Sequence, residues 1–129
     1  MALLLDTCTL WWLTSEPDRL SESARRAIEE DSESLFVSSI SALELAMKIA
    51  KGKLGIPLES PETWFREVLK HHGVEQVPIN FQIASHSGEL PQHHKDPYDR
   101  LIVATALEYG MTIITPDALI KKYDVNCLW

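Results

Sequence analysis

At 129 residues, with 45% hydrophobic and 24% charged side chains, the chain has the size and composition of one ordinary globular domain with a sizeable core. A formal net charge of −7 excludes a protein that grips nucleic acid by bulk electrostatics, though not a nuclease whose bound cations reverse the local potential. No apolar run approaches the roughly 20 residues of a membrane span, the apolar start is too short for a signal-peptide core, and Cys8 and Cys127 form no metal spacing or disulfide framework, so a cytoplasmic setting away from membranes is expected.

Ala2-Leu3-Leu4-Leu5 reads as a buried parallel strand, with Asp6 at its carboxyl end and Leu10-Trp11-Trp12-Leu13 turning away as a short helix. Residues 21–31 make a solvated helix with Ala24, Ala27 and Ile28 facing inward, and Leu35-Phe36-Val37 is the second strand. A helical pattern then runs from Ser41 to Lys51-Gly52; Ser41 and Glu44 have the spacing of a capping box, and Lys48, Lys51 and Lys53 gather at its end. Residues 56–61 are a connector, and Ser60-Pro61 opens a helix reaching His72-Gly73. Residues 74–78 are the third strand and residues 80–88 a short helix; the following loop carries His93 and His94, expected to be solvated rather than ligands. Asp96 suits the N-cap and Pro97 the first position of the next helix, which stops at Gly110. Residues 111–115 form a β-branched strand, 118–123 a last helix and 125–129 a final strand. Strands alternating with helices predict an α/β fold with a central, mostly parallel sheet in a single domain spanning residues 1–129.

Four acids each have a local explanation: Asp6 and Asp117 follow strands, Glu44 fits a capping box and Asp99 sits in a first helical turn. Their common placement is not explained that way, because a parallel sheet puts all four along one edge. Carboxylates so gathered repel one another, and a hard divalent cation removes the conflict. Mg²⁺ or Mn²⁺ fits an all-oxygen site.

The ordered set Leu3-Leu4-Leu5-Asp6-Thr7, Ser38 to Glu44, His94-Lys95-Asp96-Pro97-Tyr98-Asp99-Arg100-Leu101-Ile102 and Thr115-Pro116-Asp117 resembles the PIN-domain nucleases, and within them the VapC-like toxins of toxin–antitoxin modules. The resemblance implies an α/β/α sandwich and metal-dependent RNA hydrolysis, with Asp6, Glu44, Asp99 and Asp117 gathering Mg²⁺ or Mn²⁺. It also implies a cognate antitoxin and a homodimer. Thr7 and Thr115 are placed to hydrogen-bond carboxylates, Asp96 to cap its helix or support the ligands, and Arg100 either to anchor an RNA phosphate or to pair with an acid. Trp11, Trp12, Trp64 and Phe65 are candidates for an interface, with core packing expected for at least two. Two other readings stand beside this one. Haloacid-dehalogenase-like phosphotransferases also open Leu-Leu-Leu-Asp, but need a second Asp where this chain has Cys8. A non-catalytic module would use the acids as helix caps or for a structural ion.

Overall fold

A computed structural model describes residues 1–31, 33–56 and 60–129; Pro57 to Glu59, the middle of the expected connector, lie outside the described residues. The central strand β1 (Leu3–Leu5) is fully buried. Its neighbours are β2 (Leu35–Ser38) and β4 (Thr112–Ile114), with β3 (Val74–Val77) and β5 (Cys127–Leu128) at the edges, giving the order β3-β2-β1-β4-β5. Every described pairing is parallel, and Leu5 lies opposite both Val37 and Ile114. The three consecutive leucines of β1 serve both faces. Leu3 and Leu5 join Leu10, Leu35, Val37, Trp64 and Phe65 in one core, while Leu4 joins Ile102, Val103, Ile113 and Ile120 in the other. This two-sided burial makes the strand a continuous apolar run rather than an alternating one.

Helices α1 (Thr7–Ser15), α2 (Glu22–Glu30), α3 (Ile40–Ala50) and α4 (Pro61–His72) contribute to the first core, and α6 (Pro97–Tyr109) covers the second with α5 (Phe81–Glu89) packed along it. The result is the expected α/β/α sandwich. Ser21, Ser60, Asn80 and Asp96 cap their helices through side-chain oxygens, each accepting a backbone N–H of the first turn. Gly73 and Gly110 end α4 and α6 at φ of 65° and 64°, where a side chain would be strained. No described helix is long and apolar enough to cross a membrane.

Three expectations change. The last helix is only a 3₁₀ turn, Ile120–Lys122, because just Ile120 and Tyr123 anchor it, three residues apart on one side. The final strand shortens to Cys127–Leu128, which bonds β4 alone at the sheet edge. The capping box at Ser41 and Glu44 does not form: α3 begins at Ile40 behind Ser39, and Ser38 Oγ accepts the Ile40 N–H at 3.1 Å. Ser41 Oγ instead lies 2.8 Å from Thr7 Oγ1, tying α3 to α1.

Candidate functional site

The chain steps outward from β1 through β2 to β3, then returns across the sheet to β4 on the other flank of β1. Strand order therefore reverses at β1 and β4, and the crevice beyond their carboxyl ends is where parallel sheets collect ligands. Asp6 ends β1, and Thr115-Pro116-Asp117 follow β4. Glu44 on α3 and Asp99 in the first turn of α6 complete a cleft of about 300 Å³, also lined by Thr7 and Cys8. The four acids singled out from the sequence thus share one cleft.

Asp6 is the most enclosed of them, at 3% exposure. Its Oδ1 accepts the Thr9 N–H at 2.9 Å, capping α1, and lies 3.3 Å from the Cys8 thiol, while Oδ2 accepts a hydrogen bond from the Thr115 hydroxyl. Burial pushes Asp6 above the usual carboxylate range, and those donors hold it back in part. Thr115 Oγ1 also accepts the Asp117 N–H at 3.1 Å, so one hydroxyl spans two acids. Asp117 Oδ1 accepts the Leu119 N–H at 2.8 Å. Burial works to raise Asp117, but the hydrogen bond to His94 and the Leu119 N–H outweigh it and leave its carboxyl below 3.8.

Asp99 and Glu44 differ. Burial, followed by the charges of Asp96 and Glu44, raises Asp99 to about 8. Glu44 Oε2 is 3.6 Å from Lys48 Nζ, while Oε1 is buried with no hydrogen-bond partner. An orphaned carboxylate oxygen beside a carboxyl held protonated by its neighbours is what an oxygen-seeking cation would relieve. The donor set fits a divalent metal.

His94 corrects the expectation of a solvated loop histidine. It is 9% exposed, with Nε2 2.9 Å from Asp117 Oδ2 and 3.1 Å from Asp99 Oδ2. These three side chains lie close enough for a shared ion, their ligand atoms within 4.8 Å of one another. However, the Asp96 N–H donates to His94 Nδ1 at 3.1 Å. Nδ1 therefore carries its lone pair, the ring proton sits on Nε2, and His94 faces the acids as a donor rather than a ligand. His93, by contrast, is exposed and packs edge-on against Tyr123 at 5.0 Å.

The supporting residues divide. Thr115 touches Asp6 as expected, whereas Thr7 bonds Ser41 and no carboxylate. Asp96 caps α6 through Oδ1 and the Tyr98 N–H at 2.9 Å. Arg100 neither pairs with an acid nor reaches the cleft. It is 8% exposed and donates to the carbonyls of Ser87, Leu90, Pro91 and His94 and toward the Tyr123 hydroxyl. Its charge is spent on holding the loop that carries His94, whose N–H donates to Tyr123 Oη at 3.0 Å. Trp64 and Phe65 are core, and Trp11 and Trp12 are half-buried.

A family model described as PIN domain matches residues 3–126. Ribonuclease VapC22 of Mycobacterium tuberculosis is 37% identical over 124 residues, covering 94% of this chain and 91% of that protein. Among solved structures, VapBC2 from Rickettsia felis bound to a promoter DNA fragment has a TM-score of 0.74 at 18% identity, covering 99% of this chain and 98% of that one. A toxin–antitoxin complex from Klebsiella pneumoniae has a TM-score of 0.70 at 23% identity, covering 99% and 97%. At those identities the two structures speak to the fold alone.

Proposed function

The chain belongs to the PIN-domain family, and from that premise we propose that it is a metal-dependent endoribonuclease of the VapC kind, held in check by a cognate antitoxin. The observation that carries the reading is the convergence of Asp6, Glu44, Asp99 and Asp117 on one cleft at the reversal of strand order. The relative named as a ribonuclease supports the reaction, and the likeness to toxin–antitoxin complexes supports the partner. Residues 1–129 act as one nuclease domain; RNA is its substrate and a homodimer its working form. Two free thiols suit a cytoplasmic setting.

The four carboxylates would hold Mg²⁺ or Mn²⁺, and the ion would supply the Lewis acidity that lowers the pKa of a water and offsets charge on the scissile phosphate. The protein's part is positional. Thr9 and Thr115 fix both oxygens of Asp6, and His94 with the Leu119 N–H fixes those of Asp117, so neither acid needs to reorient. Glu44 leaves one buried carboxylate oxygen without a partner, and Asp99, raised to about 8 by burial and by its acidic neighbours, would offer a second carboxylate on losing its proton. Asp96 fixes the start of the helix that carries Asp99.

Incubation with RNA and Mn²⁺ tests the reading. Cleavage should be lost with EDTA and in Asp6→Asn and Asp99→Asn, and sequencing the RNA ends would give the target. Cleavage that survives both substitutions would rule out this site.

A further inference from the structure

The one group of three metal-binding side chains whose ligand atoms all lie within 4.8 Å among the described residues is not made of acids alone. It sets the imidazole of His94 beside the carboxylates of Asp99 and Asp117. By its donor types such a group suits Zn²⁺, whereas a purely carboxylate set suits Mg²⁺ or Mn²⁺. Two donor sets thus compete at neighbouring positions, and the state of one ring decides between them.

His94 is held at its main chain and at its ring. Its N–H donates to Tyr123 Oη at 3.0 Å, and its carbonyl accepts from Arg100 at 3.3 Å. Ring Nδ1 accepts the Asp96 N–H at 3.1 Å, and Asp96 is itself fixed as the N-cap of α6. With Nδ1 so engaged, the ring proton sits on Nε2, which donates to Asp117 Oδ2 at 2.9 Å and lies 3.1 Å from Asp99 Oδ2. To offer an ion a lone pair from Nε2, the ring would have to carry its proton on Nδ1, against the Asp96 N–H. Turning the ring over would instead place a C–H there and leave that N–H without its acceptor. Either change is costly at a residue only 9% exposed, where water is poorly placed to substitute.

The carboxylates lose nothing by the contact. Each carboxylate oxygen has two lone pairs, so Asp117 Oδ2 can accept from His94 and still face an ion. The two acids come from different elements, Asp117 from the turn after β4 and Asp99 from the first turn of α6, and Nε2 stands between them.

We propose that His94 is a positioning residue that governs metal choice: its Nε2–H holds Asp117 beside Asp99, and the Asp96 N–H keeps the ring from becoming a ligand. The site then stays all-oxygen, and Zn²⁺ gains no imidazole from it. The proposal rests on the metal-dependent reading of the cleft and adds the residue that decides which ions the cleft favours.

The test reads the ring and the metal without using activity. NMR of the histidine ring nitrogens in metal-free protein, with His94 assigned by its loss in His94→Gln, should show the proton on Nε2 and none on Nδ1. Adding Zn²⁺ should leave it there. Mn²⁺ affinity is measured by calorimetry and Zn²⁺ affinity by competition against Mn²⁺, so that other histidines do not count. His94→Ala should weaken both ions by a similar factor, about 10–100-fold. His94→Gln, whose amide N–H takes the place of Nε2–H, should recover most of that loss, and urea unfolding should find it near wild type. It decides the matter with the ring spectrum even if His94→Ala does not fold. A ring protonated on Nδ1, or an Nε2 that gives up its proton to Zn²⁺, would overturn the proposal. So would a Zn²⁺ loss in His94→Ala at least about 10-fold larger than the Mn²⁺ loss, the mark of a nitrogen ligand, or a folded His94→Gln that binds Mn²⁺ as weakly as His94→Ala. Wild type and His94→Ala that bind Mn²⁺ equally keep the metal reading and sink the positioning role. Wild type that binds no Mn²⁺ sinks both.

Discussion

The two walls of the carboxylate cleft are built on opposite principles. On one, Asp6 and Asp117 have both oxygens engaged by Thr9, Thr115, Leu119 and His94. On the other, Glu44 has a buried oxygen with no partner, and Asp99 is raised to about 8 by burial and by its acidic neighbours. The first wall is complete in the protein alone. The second has only Lys48 at 3.6 Å from Glu44 and His94 at 3.1 Å from Asp99, and leaves a buried oxygen that a cation would satisfy.

The comparison can be broken most severely through catalysis. Asp6→Asn and Asp99→Asn, one from each wall, should each reduce Mn²⁺-supported RNA cleavage by about 1,000-fold or more, since both would remove a charge from the same ion. A large effect from one wall only would mean that the walls do not share a ligand. Behind the first wall, Arg100→Ala would strand several carbonyls and release the loop of His94. A loss of about 3 kcal/mol or more is expected in urea unfolding. Thr115→Val removes the hydroxyl that spans Asp6 and Asp117. It should cost about 1–3 kcal/mol in the same assay and weaken Mn²⁺ binding about 10–100-fold by calorimetry.

The smallest effect has the opposite sign. Asp99 binds its proton more tightly in the folded chain than in the unfolded one. Its contribution to metal-free stability is therefore full below about pH 4 and is lost as pH rises toward 8. Asp6, also raised, acts in the same direction, while Asp117, held below 3.8, loses its contribution only under more acidic conditions. Asp99→Asn should thus flatten the fall in melting temperature between pH 5 and 8. At pH 8, without metal, it should melt at or above wild type, at about 4 °C per kcal/mol for a chain of this size. A marked drop in scanning calorimetry would favour the view that the acids serve only as caps.

What the sequence disclosed and what it hid follow the same division. The strands were readable as apolar or β-branched runs, the helix starts at Ser60 and Asp96 as local side-chain choices, and the four acids from their positions after strands and at helix starts. Local spacing could not disclose His94, whose partner Asp117 is 23 residues away, or the burial of Arg100, whose acceptors belong to a loop that only the fold brings around it. It also misled at Ser41 and Glu44, where the right spacing met a helix whose N-cap, Ser39, lies two residues earlier and a serine already bonded to Thr7. His94 had a signal in the His-Lys-Asp-Pro run, since a ring two residues before an N-cap can accept that residue's N–H.

The contrast between the walls comes down to one proton. At pH 7.5 Asp99 is largely protonated in the metal-free protein, so a cation that takes its place must release that proton. Calorimetric titration with Mn²⁺ in buffers of different ionisation enthalpy measures that release directly. Wild type should bind Mn²⁺ with the loss of most of a proton, and Asp99→Asn should bind at least about 10-fold more weakly with a clearly smaller loss. Tight Mn²⁺ binding without proton release, or with equal affinity in Asp99→Asn, would contradict the account.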